Sequence, residues 1–239
     1  MQVYLKNKTN MKKVLIVLCT LAITCSCTFS FNGLGNGKKV VCKGPETSKS
    51  FDLSGFSGIT ISGSSDITIT QGESYSVSVK ANEEVFEYLD YEVTDGTLLL
   101  KSKDNVQIMA KTYKVYVTLP CLENLLVIGA ADAEIYNYKS DKDMDVMVNG
   151  AGDFEVKSIK VPSLTFTVNG AGDIDASDLD VETLNVSVNG AGDVDLSGKA
   201  HTANLSVSGA GDIDASDLDV EHTNIRKSGF ASIETQKKN

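Results

Sequence analysis

The sequence predicts an all-β chain folded as a right-handed parallel β-helix, with about 20 residues per coil and three short strands in each. Three observations carry this. The tetrapeptide Gly-Ala-Gly-Asp occurs unchanged at Gly150–Asp153, Gly170–Asp173, Gly190–Asp193 and Gly209–Asp212. A near copy, Gly129-Ala130-Ala131-Asp132, precedes these and a decayed one, Gly229-Phe230-Ala231-Ser232, follows, giving steps of 21, 20, 20, 19 and 20 between leading glycines. Finally, apolar pairs recur in strict phase with the tetrapeptide. They sit just before it (Val146/Val148, Phe166/Val168, Val186/Val188, Leu205/Val207), just after it (Phe154/Val156, Ile174/Ala176, Val194/Leu196, Ile213/Ala215) and again further on (Ile159/Val161, Leu179/Val181, Leu218/Val220).

Each pair is a period-2 strand with alternate side chains turned inward. Twenty residues are too few for a strand and a returning helix in each repeat, and no 3.6-residue period appears. A three-stranded coil buries all the pairs, and successive coils stack in parallel at about 4.8 Å. Parallel crossovers are nearly always right-handed. In this scheme the tetrapeptide is a corner. Its glycines permit positive φ, its alanine is small enough to sit inside the corner, and its aspartate accepts hydrogen bonds from turn amides. The residues before each leading glycine, Asn149, Asn169 and Asn189, then Ser208, would stack as an amide ladder.

The chain begins with a different kind of segment. Lys6, Lys8, Lys12 and Lys13 precede an apolar run from Val14 to Thr24, too short to span a bilayer as a mature helix. It ends in Thr24-Cys25-Ser26-Cys27. Residues 1–27 therefore read as a bacterial lipoprotein signal with Cys27 as the lipidated residue and Cys25 as the alternative, anchoring the protein to a membrane through acyl chains. Loss of this segment removes four lysines and no acids, taking the formal charge from −10 to −14. Such a charge disfavours nucleic acid as a partner. Cys42 and Cys121 then remain, either as a disulfide of an exported protein or as two buried thiols.

Residues 28–50 are rich in Gly, Asn, Ser and Lys and read as a flexible tether. A β-helix domain follows over residues 51–239, with irregular coils at 51–120 and regular repeats and a C-terminal cap at 121–239. In the irregular part, alternation predicts strands at Ile59–Ile61, Ile67–Thr70, Tyr75–Val79, Tyr91–Val93, Thr97–Lys101, Gln107–Met109 and Lys114–Leu119. Asp95-Gly96 predicts a hairpin turn, and Asn82 to Leu89 one short helix capped by Asn82. Gly63-Ser64-Ser65-Asp66 is a diluted tetrapeptide at which the repeat could begin. In the last repeat Lys227 takes an inward position, Arg226 flanks it and Phe230 replaces alanine, as expected of a cap on an open strand edge.

The segments Ile61-Ser62-Gly63-Ser64-Ser65-Asp66-Ile67-Thr68-Ile69-Thr70-Gln71-Gly72 and Val168-Asn169-Gly170-Ala171-Gly172-Asp173-Ile174 resemble the head GIN domain family, over roughly residues 51–235. Its members are described as putative auto-transporter adhesins and are common among Bacteroidetes lipoproteins. The resemblance implies a β-helical fold, a cell-envelope location and adhesion; the expectation for this chain is the outer membrane, on its periplasmic or surface face, with a surface glycan or protein as partner.

Candidate chemistry is sparse. Asp132, Asp153, Asp173, Asp193 and Asp212 would form one column, with Glu155, Asp175, Asp195 and Asp214 as a second. Either the first column is tied to turn amides, or the carboxylates bind Ca²⁺, a hard cation that takes oxygen ligands. Asp178, Asp180, Asp217 and Asp219 would be solvated corner residues. His201 and His222 would lie near each other on neighbouring coils, but two imidazoles without a third ligand make a weak metal site. Tyr136 and Tyr138 are the candidate glycan contacts, in a chain without tryptophan, with filling of the coil interior as the alternative for both rings. No catalytic residue is assigned. The sole arginine is Arg226, at the cap, and the acids lie in uniform columns instead of converging. The expectation is a non-catalytic adhesin or surface-interaction module. A structural envelope protein without ligand and a polysaccharide-processing enzyme are the alternatives.

Overall fold

The computed structural model describes residues 38–236. The signal segment with Cys25 and Cys27 lies outside the described residues, as does the first part of the expected tether. The early strands are β1 (Lys38–Cys42), β2 (Glu46–Phe51), β3 (Gly58–Gly63), β4 (Asp66–Gln71) and β5 (Ser76–Asn82). After a 3-10 helix at Glu83–Tyr88 come β6 (Leu89–Thr94), β7 (Thr97–Ser102), β8 (Val106–Ala110) and β9 (Tyr113–Leu119). The regular part holds β10 (Asn124–Gly129), β11 (Ala133–Lys139), β12 (Met144–Gly150), β13 (Asp153–Gly170), β14 (Asp173–Gly190), β15 (Val194–Gly209), β16 (Asp212–Gly229) and β17 (Ser232–Thr235).

The regular part is the expected parallel β-helix. β13, β14, β15 and β16 each run through a corner and pair in parallel with the next, so that Asn149, Asn169, Asn189 and Ser208 stand in one column. The chain bends in mid-strand at positive φ: Asn137, Ser158 and Asp178 take φ of 54°, 57° and 55°, and on β15, after a one-residue register shift, Gly198 beside Leu179 takes 115°. The predicted inward pairs are all buried, including Ile213/Ala215 and Leu218/Val220 on β16. Their alternation with exposed residues is what drives the coil closed, because each coil can bury its apolar side only against its neighbours.

The repeat begins at Gly63, whose partner in the ladder is Gly129. Coil order then departs from sequence order. After β3 and β4 the chain leaves the stack. It returns as β7 and β9, which lie parallel to β3 and β4 on one side, while β10 and β11 lie parallel to them on the other. The excursion builds an N-terminal cap: β5 pairs antiparallel with β9, β2 with β5, and β6 with β7. The predicted hairpin joins β6 to β7, with Asp95 at φ 49° and Gly96 at φ 75°.

Three expectations are corrected. Residues 38–50 are not tether: β1 pairs with β8, and β2 joins the main sheet. Their polar composition reflects edge positions exposed on most sides. The short helix exists as a 3-10 turn, and Asn82 does not cap it with its side chain. Instead the buried Asn82 amide donates to the Gly44 carbonyl (2.7 Å) and accepts from the amides of Lys111 (3.0 Å) and Thr112 (3.2 Å). It thus ties three loops together. In the corner, Ala151, Ala171 and Ala191 point outward, and it is the second glycine, Gly172 or Gly192, that is buried. Cys42 and Cys121 are both free thiols.

Candidate functional site

The coils present three outward surfaces of different chemistry. On the first, after the tetrapeptide, the two acidic columns are in register. Glu134, Glu155, Asp175, Asp195, Asp214 and Glu234 are successive partners on β11, β13, β14, β15, β16 and β17. The aspartates of the first column are exposed and tied down. Asp132 accepts the amide of Asp153 (3.0 Å), Asp173 that of Asp193 (2.9 Å), Asp193 that of Asp212 (3.1 Å) and Asp212 that of Ser232 (2.7 Å). Four of the five carboxylates thereby satisfy a strand-start amide of the following coil; at Asp153 the pattern lapses, and the Asp173 amide donates to the Gly152 carbonyl instead (3.1 Å).

The second column bears its repulsion more openly. Burial, and then the charges of Asp214 and Asp175, push the Asp195 carboxyl above its ordinary pKa. Asp214 is held below its own by the hydroxyl and amide of Ser216, with the N–H 2.9 Å away. A shallow recess of about 320 Å³ lies here, lined by Asp175, Asp195, Asp214, Ser197, Ser216 and Asp217.

Tyr136 and Tyr138 part ways. Tyr136 is half-buried on the acidic surface; burial, a hydrogen bond to Glu155 and the charges of Glu134 and Glu155 push its phenol up to about 12. Tyr138 is only 1% exposed. Its hydroxyl accepts the Leu122 amide (2.6 Å) and donates to the Leu122 carbonyl (3.0 Å), fixing the turn that leads into β10. It cannot be a glycan contact. The two rings point apart because Asn137, between them, adopts a positive φ and turns the chain.

The second surface precedes the tetrapeptide. On β13, β14 and β15 its outward residues are Thr165, Thr167 and Asn169; Asn185, Ser187 and Asn189; and Asn204, Ser206 and Ser208. None is charged. The expected amide ladder is present, with Asn169 donating to Asn149 (2.8 Å) and Asn189 to Asn169 (3.0 Å). A second ladder, unforeseen, runs from Asn224 to Asn204 (2.9 Å) and on to Asn185 (2.8 Å). Its signal was available as asparagines spaced 19 and 20 apart. Toward the N-terminal end this surface turns apolar, at Leu126 and at the exposed Ile128 and Met147.

The third surface carries a charge-alternating column, Lys160, Asp180, Lys199 and Asp219. Lys160 bridges Asp180, and Asp178 accepts from the Ser158 hydroxyl (2.6 Å). These corner acids are therefore paired as well as solvated. Further along lie His201, Glu221 and His222, all exposed. At the N-terminal cap a separate cleft of about 460 Å³ is lined by Val41, Cys42, Ser64, Ile108, Met109 and Tyr113. At the opposite end Phe230 is 93% exposed, and Lys227 donates to the Ile233 carbonyl (3.2 Å).

The stacked coils, with their chemically distinct outward faces, define a protein of the parallel β-helix class. Within that class the chain belongs to the family described as putative auto-transporter adhesin, head GIN domain, whose pattern matches residues 55–239. That family points to a cell-surface or envelope protein. Solved structures share the fold, among them the following three. A putative lipid binding protein from Parabacteroides distasonis superposes with a TM-score of 0.74 at 21% identity, covering 84% of this chain and 100% of that one. A putative adhesin from the same species gives 0.71 at 20% identity, covering 83% and 84%. A putative adhesin from Bacteroides fragilis gives 0.68 at 17%, covering 82% and 99%. No curated protein matches the chain.

Proposed function

We propose that the protein is a non-catalytic adhesion module of the outer-membrane surface, anchored through Cys27, with Cys25 as the alternative lipidated residue, and that its uncharged face binds a neutral glycan. One observation carries this. In a chain of net charge −10, nine outward residues in three in-register columns on β13 to β15 are all amides or hydroxyls. Such a face offers donors and acceptors at a fixed spacing of about 4.8 Å without charges to desolvate. The apolar end at Leu126, Ile128 and Met147 offers a surface for the C–H faces of sugars. Side chains already held by ladder hydrogen bonds lose little freedom on binding, which favours affinity.

The reading as a binding module, not an enzyme, is supported by the use to which the carboxylates are put. Four of the five aspartates of the first column, Asp132, Asp173, Asp193 and Asp212, hold amides of the next coil, where a hydrolase or lyase needs groups converging on one reacting atom. The Ca²⁺ ladder at Asp132, Asp153, Asp173, Asp193 and Asp212 has no part in this proposal.

The test is a glycan array probed with the domain, with and without Ca²⁺. Binding to neutral glycans should be indifferent to Ca²⁺, be lost in Thr167→Arg and Ser187→Arg, and persist in Asp175→Asn. Absence of all glycan binding, or loss of binding in Asp175→Asn alone, overturns the reading. Membrane association lost in Cys27→Ser and kept in Cys25→Ser tests the anchor.

A further inference from the structure

The chain contains two histidines, and the coil brings them together. Ala200 pairs with Val220 and Thr202 with His222, which places His201 beside Glu221 across neighbouring coils. The His201 Nδ1 lies 3.2 Å from Glu221 Oε2. The two imidazoles meet edge to face with ring centroids 5.4 Å apart. One ligand atom from each of His201, Glu221 and His222 lies within 4.8 Å of the other two. Glu182 occupies the same register column as His201 one coil back, between the pairs Val181–Ala200 and Thr183–Thr202, and adds negative charge to the corner.

We propose that His201, Glu221 and His222 form a Zn²⁺ site with an open coordination position. Zinc takes imidazole nitrogen at about 2.0–2.1 Å and carboxylate oxygen at about 2.0–2.2 Å. Two imidazoles and a glutamate are a known three-ligand set for it, the fourth position being left to water or substrate. Ligand atoms in such a tetrahedron stand about 3.3 Å apart. The three side chains are exposed at a corner, so rotation about their own bonds closes the remaining distance while the backbone, held by the ladder on β15 and β16, stays in place. Imidazole selects zinc, nickel or copper over calcium and magnesium, which prefer oxygen. The site is thus chemically separate from the acidic columns on the first surface. Each histidine alone is an ordinary exposed residue; the coil period supplies the third ligand that the sequence spacing alone does not reveal. The open position faces solvent, where a carboxylate or imidazole of another molecule can complete the shell. This proposal stands independently of the glycan reading.

The experiment is a Zn²⁺ titration of the purified domain against a competing fluorescent chelator, with parallel NMR of the two imidazole C–H resonances. One ion per chain should bind with micromolar affinity, and both resonances should move together. His201→Gln and His222→Gln should each weaken binding by at least ~10-fold, with unchanged circular dichroism. Cys121→Ser should bind as the parent does. Failure to bind zinc up to millimolar concentration overturns the proposal. So does binding that survives in the double histidine variant, or that disappears in Cys121→Ser.

Discussion

Replacing Gly170 by alanine should cost about 3–5 kcal/mol, although one methyl group is added at a half-exposed corner. Gly170 has φ 151°, a region that strains a residue bearing Cβ; such strain is worth about 1–3 kcal/mol. The added Cβ would also fall on the carbonyl oxygen of Gly150, well inside the 3.0 Å that real Cβ contacts respect. That oxygen is already the acceptor for the Ala171 amide at 2.9 Å, and the Gly170 carbonyl in turn accepts the Ala191 amide at 2.8 Å. Relieving the clash by separating the coils weakens both bonds, each worth about 1 kcal/mol. For a domain of this size the urea m-value is about 3 kcal/mol/M, so the unfolding midpoint should fall by about 1–1.7 M. Coupling in stacked repeats is between neighbours, so the transition should also broaden as coils on either side of the lesion separate. Ala171→Ser, one residue away and pointing outward, should stay within about 0.5 kcal/mol of the parent. Equilibrium urea unfolding followed by circular dichroism reads both. A midpoint shift below about 0.3 M in Gly170→Ala, or an equal loss in Ala171→Ser, would refute the assignment of the first glycine as the point of closest approach between coils.

Tyr138→Phe should destabilise by about 1–3 kcal/mol, because it leaves the Leu122 amide and carbonyl without their buried partner; glycan binding per folded molecule should not change. Burial pushes the Tyr138 phenol up to about 12 from an ordinary 10.0. Below pH 10 both the folded and unfolded forms keep the proton. Above it the unfolded chain loses the proton first, so stability should drop between pH 10 and 12, and drop less in the phenylalanine variant. Asp195→Asn should raise the urea midpoint at pH 7, since the folded state holds that carboxyl above its ordinary pKa of 3.8 through burial and the neighbouring charges of Asp214 and Asp175. The gain should shrink as pH falls through the raised folded value and vanish below about pH 3, where both states are protonated; a lower midpoint at pH 7 would contradict the proposed repulsion.

The regular coils were legible because the same residues recur in phase, and phase fixes register. The buried pairs such as Phe166/Val168 are placed by alternation alone, and the Asn149, Asn169 and Asn189 ladder by the repeat length. Three features were hidden, each for a physical reason. The stacking of β7 and β9 outside β3 and β4 is a long-range choice, and no local pattern says which earlier strand a returning one will join. The edge strands β1 and β2 bury little, so they carry no apolar alternation and look like linker. That Tyr138 fills the coil while Tyr136 stays on the surface was hidden because counting by twos presumes a straight strand, and Asn137 turns the chain at φ 54°.

The same counting explains why the functional candidates moved. An aspartate repeated at every corner invites a metal, but in register its oxygen meets the next coil's amide, and repetition then argues for scaffold. The outward columns between the corners are under no such demand. On β13 to β15 they could have carried any soluble side chain, and a chain with 32 acids among its residues placed none there. Asparagine ladders running along the stack explain the amides, since each amide can donate to one neighbour and accept from the other. They do not explain why Thr167, Ser187 and Ser206, in the central column, are also uncharged. Keeping like charges off a column is no general rule of this fold, because Glu155, Asp175, Asp195 and Asp214 share one on the adjoining face. An uncharged flat strip beside a charged one is therefore a choice that stacking does not require, and a partner with hydroxyls and no charge is what such a strip suits.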